Sequence, residues 1–342
     1  MRGRARATLT AMSEVVHGAA RRFGIPAALL WPRVLRRFFL DRFSVAELRA
    51  YAPFVGEVLD TLPVVISKEA SLDRLARINP RGLQWQTEDK EKFYGICVSK
   101  GIPHPRVCAV IGNGRDTRHG ELPTHFISKD QGGAYASGFA VFERTDADQV
   151  RVNAGPPEPL KDVLERLARG RSSLLLQERL FDHPGLQALS ARPVLQSARI
   201  NTFRAAEGRC RLLFWMIKLV TGRNFSDNFS GGRSGNLIAF GAPDSGKLLG
   251  ARTLHPSGVG LTTILNHPET NRPLAGFTVP LWQEAVATAL QAHRHFPDFG
   301  ALGWDVAITA DGPKILEANA WWDPPTYAPQ IMAADDWRAI FG

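Results

Sequence analysis

The chain has 342 residues, of which 44% are hydrophobic and 22% are charged, as in ordinary globular proteins. It contains no apolar run of about 18 residues, and its first residues lack the apolar segment of a secretion signal, so we expect a cytoplasmic protein without a membrane span. The formal net charge of +9 is accompanied by no recognisable nucleic-acid-binding motif, and no nucleic-acid partner is predicted.

The first 85 residues have the apolar spacing of helices. Segments 5–22, 26–41 and 45–60 are predicted helices, separated by breaks at residues 24–26 and 43–44. The second of them is basic and amphipathic. It could rest on an acidic membrane or protein surface, or it could pack its apolar face on the main body and leave its arginines in solvent. We predict a helical N-terminal region over residues 1–85.

Beyond residue 85, short apolar runs separated by Gly and Pro predict strands. The runs are THFISK, SGFAVF, SLLLQERL, VLQSARINTF, RCRLLFWMIKLV, GNLIAF, WDVAIT and KILEAN. One longer helix is predicted at residues 282–296, and segments 146–159 and 221–236 are expected to be loose. The predicted fold class is α+β.

Residues 87–107 predict a helix that starts near Glu88–Asp89 and ends at Gly101. Lys90 falls in its first turn, where a cation is unfavourable against the helix dipole. Because this position is unfavourable for a lysine, we predict a functional role for Lys90. A solvated lysine without such a role is the alternative.

Residues 124–144 predict two strands around a glycine-rich loop. Lys129 closes the first strand, and Gly132, Gly133 and Gly138 would allow backbone N–H groups to approach phosphate oxygens. The segment therefore suits a phosphate clamp, and a plain hairpin rich in glycine is the alternative.

Three cations lie among apolar neighbours in the strands at 194–204 and 210–220, namely Arg199, Arg204 and Lys218. An unpaired buried cation is costly, so an anion such as a phosphate or a substrate carboxylate is expected to meet them. Outward, solvated side chains are the alternative, above all for Arg204.

The stretch GWDVAITADGPKILEANAWWDPP, residues 303–325, predicts a hairpin with a turn at residues 310–313. Antiparallel pairing would bring Asp305 opposite residues 317–319, and strand alternation puts Glu317 and Asn319 on one face. Oxygen ligands converging in this way suit a hard cation such as Mg²⁺. A polar outer face of an edge hairpin is the alternative.

The order of seven residues along the chain resembles the ATP site of the ATP-grasp ligases. The residues are Lys90, Lys129, Glu178, Lys218, Asp305, Glu317 and Asn319. The LEAN motif is close to its form in D-alanine:D-alanine ligases, whereas Asp130 stands in place of the usual proline after Lys129. The segments at 228–232 and 267–282, with the helical leader, look closest to the ATP-grasp proteins associated with sugar transfer.

The resemblance implies an ATP-grasp fold in which two α+β parts, residues 86–180 and 181–342, clasp ATP. It implies the following nucleotide contacts: Gln177, Glu178, Arg179 and Leu180 for adenine, Asp182 or His183 for ribose, and Lys90, Lys129, Gly132, Gly133, Lys218 and Asn228 for the phosphates. His183 could equally be a structural loop histidine. Arg199 or Arg204 would face the acid substrate or the γ-phosphate. Asp305, Glu317 and Asn319 would hold Mg²⁺, with Mn²⁺ as an alternative ion.

The implied activity is ATP-dependent ligation of a carboxylate to an amine through an acyl phosphate. The partners would be ATP, a small carboxylic acid and an amine (an amino acid, amino sugar or peptide), in surface-polysaccharide or secondary-metabolite biosynthesis. A kinase of the same fold and a non-catalytic nucleotide-binding protein are the alternatives, and a homodimer is left open.

Overall fold

The computed structural model describes residues 2–132, 138–224, 227–242 and 244–342, except for the side chains of residues 2 and 4. Helices dominate up to residue 100: α1 (Arg2–Phe23), α2 (Ala27–Phe39), α3 (Val45–Tyr51), α4 (Gly56–Leu59), α5 (Lys68–Leu75), α6 (Trp85–Glu88) and α7 (Lys90–Lys100). None of the helices within the described ranges combines the length and the apolar composition needed to cross a membrane.

The predicted helices at 5–22 and 26–41 are confirmed as α1 and α2, but the one at 45–60 is wrong. Ser44 begins α3 with a capping box, and Ala52 ends it in the left-handed conformation with φ 48°. Because Pro53 follows and cannot extend the helix, the chain turns and begins again at α4.

Helix α7 has both predicted ends. The Asp89 side chain accepts hydrogen bonds from the backbone N–H groups of Glu91 and Lys92, and Gly101 closes the helix with φ 64°. Lys90 is thus the first helical residue, and its side chain is 9% exposed.

The first sheet contains seven antiparallel strands in the order β2-β1-β7-β3-β4-β5-β6. They are β1 (Val107–Gly112), β2 (Arg115–Arg118), β3 (His125–Asp130), β4 (Ala140–Arg144), β5 (Gln149–Val152), β6 (Pro157–Pro159) and β7 (Leu174–Glu178), and α8 (Leu160–Ala168) lies between β6 and β7 in the chain. Segment 146–159, expected to be loose, instead holds β5 and β6. A turn at Asp146 allows Val150 to be buried in the apolar cluster with Val163 of α8.

The second sheet also contains seven antiparallel strands, in the order β12-β11-β10-β9-β8-β13-β14. They are β8 (Ser197–Arg204), β9 (Cys210–Leu219), β10 (Leu237–Gly241), β11 (Leu248–Leu254), β12 (Leu261–Ile264), β13 (Ala301–Thr309) and β14 (Gly312–Asn319); the helices of this part are α9 (Pro184–Gln187), α10 (Trp282–Arg294) and α11 (Ala334–Phe341). The predicted helix at 282–296 and the predicted hairpin are confirmed, as is the α+β class.

The second sheet buries both faces. Helix α10 covers one face, where Ile200 and Trp304 join the largest apolar cluster. On the other face, Phe214, Met216 and Tyr327 join a second cluster that includes residues of α5 and α11. Since side chains alternate along each strand, a residue's place in its strand decides which cluster it meets.

Asn79 ties the helical region to the second sheet. Its Nδ2 donates to the carbonyl oxygens of Ala301 (2.8 Å) and Ala320 (2.7 Å), and its Oδ1 accepts from the backbone N–H groups of Gly300 and Ala301 (both 3.1 Å). The side chain is 1% exposed and has a partner at both ends of its carboxamide, as a buried polar group requires.

Candidate functional site

The hairpin β13–β14 brings two acids face to face. Asp305 pairs with Glu317 across the strands, and Gly303 pairs with Asn319 in the same ladder. The two carboxyl groups share a side-chain hydrogen bond. The convergence predicted for this hairpin is therefore present in the structure.

Two cations neutralise Asp305. Arg199 donates from Nε to Oδ1 and from Nη2 to Oδ2 (3.1 Å), and Lys218 donates from Nζ to Oδ2 (3.0 Å). Burial opposes ionisation, but these two cations hold the pKa of Asp305 well below its usual range. The anion that meets Arg199 and Lys218 in the structure is a side chain of the protein itself.

Glu317 is in the opposite situation. Burial raises its pKa, and the neighbouring Asp305 carboxylate raises it further. Within the described parts of the chain, no group of three or more His, Cys, Asp and Glu side chains is placed to hold a metal. An ion here would be held by two carboxylates and the Asn319 amide oxygen, with water and phosphate completing its ligands. This all-oxygen set fits Mg²⁺, because a divalent cation would relieve the repulsion that raises the pKa of Glu317.

Lys129 reaches the hairpin from the first sheet. Its Nζ donates to the Tyr94 hydroxyl (2.8 Å), which in turn donates to the carbonyl oxygen of Leu316 (2.6 Å). Burial lowers the pKa of Lys129 to about 7, while Glu317 acts to raise it and Lys90 to lower it further. A lysine of one sheet and the acids of the other thus face each other across the gap between the sheets.

The start of α7 adjoins the glycine-rich loop. The backbone N–H of Lys90 donates to the carbonyl oxygen of Gln131 (3.0 Å), whose Nε2 donates to Asp89 (3.1 Å). Gly132 is exposed and lines a cavity of about 590 Å³ beside Trp85. Gly133 lies outside the described residues.

The end of β7 leads from the first sheet towards the second. Glu178 is partly buried, which opposes ionisation. Hydrogen bonds from Lys314 Nζ (2.8 Å) and the backbone N–H of Arg106 (3.0 Å) nevertheless lower its pKa. Gln177 is buried, with Oε1 3.4 Å from the Tyr94 hydroxyl. Lys314 belongs to the hairpin of the acids, so Glu178 links the predicted adenine segment to it.

The other two residues of the adenine segment follow directly. The Arg179 guanidinium donates to the carbonyl oxygen of Pro193 (3.0 Å) and lies over the Phe181 ring, and Leu180 is buried. The backbone N–H of Arg179 donates to His125 of β3 (3.1 Å). These contacts hold the connection between the sheets in a defined path.

Three predicted residues make local structural contacts. The His183 Nδ1 accepts from the backbone N–H of Gly185 (3.0 Å) and caps α9. The Arg204 guanidinium donates to the carbonyl oxygens of Gly208 (3.1 Å) and His293 (2.6 Å), on the α10 face of the sheet. Asn228 Oδ1 accepts from the backbone N–H of Ser230 (3.2 Å) within its own loop.

The sequence pattern did not single out Tyr94, although this residue joins Lys129 to the hairpin. Its place four residues after Lys90 puts both on one face of α7, and that spacing was the available signal. An aromatic residue at helical spacing is ordinarily interpreted as core.

Asp182 is buried and accepts from the backbone N–H and the Nε2 of Gln196 (both 2.9 Å). Burial raises its pKa to about 7 from an ordinary value of 3.8. Between those pH values the folded protein keeps a proton that the unfolded chain releases, so the free energy of unfolding falls as pH rises.

We therefore expect Asp182→Asn to be more stable than the wild type at about pH 8 and close to it at about pH 4. The Gln196 Oε1 is buried without a partner among the described residues, and a turned Gln196 amide could accept from the new asparagine. Urea unfolding at both pH values measures this. An equal stability difference at the two pH values would contradict the assignment.

Comparison with known proteins adds to this geometry. The family profile described as sugar-transfer associated ATP-grasp matches residues 70–334. None of the curated protein sequences is significantly similar to the chain.

Solved structures similar to the chain include three enzymes. An N5-carboxyaminoimidazole ribonucleotide synthetase bound to ADP is 16% identical, with a TM-score of 0.41 over 70% of this chain and 46% of its own. A D-alanine–D-alanine ligase from Bacillus anthracis bound to ATP is 12% identical, with a TM-score of 0.39 over 74% and 60%. An L-amino acid ligase from Bacillus licheniformis is 12% identical, with a TM-score of 0.37 over 69% and 43%. The chain thus covers less than two thirds of each of these proteins.

Proposed function

Because the chain belongs to the sugar-transfer associated ATP-grasp family, we propose that it is an ATP-dependent ligase that joins a carboxylic acid to an amine. The observation that carries the proposal is the meeting of Lys129 from one sheet with Asp305 and Glu317 from the other. Cations and acids that face each other across two sheets suit a nucleoside triphosphate and its metal ion.

The nucleotide would lie between the two sheets. Lys129 and Lys218 would meet its phosphates, with Lys90 beside them at the start of α7. The path from Glu178 to Leu180 would border the adenine. When bound, Mg²⁺ held by Asp305, Glu317 and Asn319 would neutralise charge on the phosphate oxygens.

The reaction would proceed in two displacements. A carboxylate oxygen of the acid attacks the γ-phosphorus of ATP, the bond from that phosphorus to the β,γ-bridging oxygen breaks, and ADP leaves. The amine nitrogen then attacks the acyl carbon, loses a proton to solvent, and orthophosphate departs as the amide forms.

The protein's contribution to these steps would be positioning and charge. Arg199 and Lys218 are held in place by Asp305, so their positive charge is ready before the substrate arrives. A preorganised field of this kind requires no covalent intermediate on the protein.

A screen of acids and amines with a phosphate-release assay tests the function. Since the family is associated with sugar transfer, the panel should include amino acids, amino sugars and sugar acids. Orthophosphate release with a product whose mass equals acid plus amine minus water supports ligation. Transfer of phosphate to a hydroxyl would indicate the kinase alternative, and nucleotide binding without turnover for any pair would indicate a non-catalytic protein.

We expect ATP binding to take up a proton, because Lys129 with a pKa of about 7 is largely neutral at about pH 8 and a nearby phosphate favours the ammonium form. Calorimetry in two buffers of different ionisation enthalpy should show uptake of up to about one proton. Lys129→Met should abolish this uptake, whereas substitution of the exposed Lys161 by Met should not change it. Equal proton uptake by both variants would show that Lys129 does not meet the phosphates.

A further inference from the structure

Asn201 lies in the middle of the second sheet, on the face that carries Arg199 and Asp305. It belongs to β8, and its register neighbours are Gly303 and Phe214. The side chain is 1% exposed, yet neither its Oδ1 nor its Nδ2 has a hydrogen-bond partner among the described residues. A buried amide without partners lowers stability, so the fold alone does not account for an asparagine here.

The contrast with Asn79 is direct. Both side chains are 1% exposed, but the Asn79 carboxamide is bonded at both its oxygen and its nitrogen. The same chemical group is thus satisfied at one buried position and unsatisfied at the other.

Gly303 allows the Asn201 amide and the Arg199 side chain to pack closely against the sheet. A Cβ atom on Gly303 would lie 3.2 Å from Asn201 Nδ2, 3.3 Å from Arg199 Cδ and 3.5 Å from Arg199 Nη1. Arg199 uses its Nε and Nη2 for Asp305, so Nη1 is its remaining nitrogen. Two N–H donors from different side chains therefore lie together over Gly303, at a place that we call the Gly303 cradle.

A second buried donor without a partner among the described residues belongs to Trp322, in the apolar cluster that also contains Phe214. The Trp322 ring lies 5.7 Å from that of Phe214, the neighbour of Asn201 in β9. The donor atom is the Nε1 of Trp322. Arg199 and Lys218 share the single Asp305 carboxylate between them. An unused amide beside the remaining nitrogen of a guanidinium group favours a guest that accepts hydrogen bonds and carries negative charge.

We propose that Asn201 and Arg199 bind the carboxylate of the acid substrate in the Gly303 cradle. This rests on the proposed function and names the side chains that hold one of its substrates. One carboxylate oxygen would accept from both Asn201 Nδ2 and Arg199 Nη1. Because the amide atoms are out of contact with solvent, the side chains over this face must separate when the acid enters.

Asn201→Leu tests the proposal without knowledge of the substrate. The change keeps the size of the side chain and removes the unpaired amide, so the urea midpoint of unfolding should equal or exceed that of the wild type. Asn79→Leu is the matched control and should lower the midpoint, because it leaves bonded backbone groups unpaired. A loss of stability in Asn201→Leu as large as in the control would show that the amide is satisfied within the protein, and would overturn the proposal.

Sodium acetate, the probe for carboxylate binding, completes the test. We expect acetate to raise the melting temperature of the wild type above its value in sodium chloride of equal ionic strength. The rise should be smaller in Asn201→Leu and in Gly303→Ala, whose methyl group would occupy the cradle. An equal rise in all three proteins would overturn the proposal. Calorimetry with Mg·ATP on the same proteins separates the carboxylate site from the proposed function. A wild-type protein that does not bind Mg·ATP would refute the proposed function, while the acetate result would still decide the carboxylate site.

Discussion

Glu317→Gln should lower substrate-dependent ATP turnover by about two orders of magnitude or more, the scale of losing one preorganised electrostatic group. Glutamine has nearly the shape of the glutamic acid side chain and lacks its charge. It can keep the hydrogen bond with Asp305, so the fold should be preserved. It cannot supply the negative charge that a bound divalent cation requires.

Asp311→Asn is the matched control for this substitution. Asp311 sits in the turn of the same hairpin, and its side chain is exposed. The change removes one carboxylate charge from the hairpin without touching the facing acids, so turnover should stay close to that of the wild type. Comparable turnover in the two variants, with folding intact, would show that the acids form only a polar face of the hairpin and have no role in turnover.

Asp305→Asn should destabilise the folded protein by about 3 kcal/mol, the lower end of the cost of removing one partner from a buried ion pair. Arg199 and Lys218 have side chains that are only 14% and 15% exposed, and both would lose their anion. The neighbouring Glu317 also acts electrostatically on both cations and would replace part of the lost charge, which keeps the loss at the lower end. Urea unfolding at neutral pH measures it.

Asp116→Asn provides the comparison for that measurement. Asp116 pairs with Arg118 at 3.1 Å, and the two side chains are about half exposed. An ion pair in solvent contributes little, so this change should stay within about 0.5 kcal/mol of the wild type. If the two aspartate variants were equally stable, the cluster around Asp305 would not be a buried ion pair.

The hairpin of the acids could be predicted because its signals are local. Strand alternation puts Glu317 and Asn319 on one face, and the turn that pairs Thr309 with Gly312 brings Asp305 to this part of β14. The exact partner could not be predicted, because a register shift between Asp305 and Val306 places Asp305 opposite Glu317 instead of Leu316. The partners of Asp305 could not be predicted in this way. Arg199 and Lys218 reach it through a strand order that joins β9, β8 and β13, and such long-range pairing leaves no local pattern.

The choice between Arg199 and Arg204 was open in the sequence, although alternation already showed that only one of them could face the site. An odd spacing within one strand puts the two side chains on opposite faces, so both could not face the same site. The structure places Arg199 beside Asp305 and Arg204 on the face covered by α10. The unsatisfied amide of Asn201, by contrast, depends on what every surrounding chain segment offers, and only the folded structure reveals it.

Titration calorimetry with ATP, in the presence and absence of Mg²⁺, tests the central claim most directly. If Lys129 and Lys218 meet the phosphates and Asp305, Glu317 and Asn319 hold the ion, ATP should bind in a Mg²⁺-dependent manner. Glu317→Gln should weaken that dependence, and Asp311→Asn should leave it unchanged. No Mg²⁺-dependent heat at millimolar ATP, or identical binding by both variants, would contradict the account.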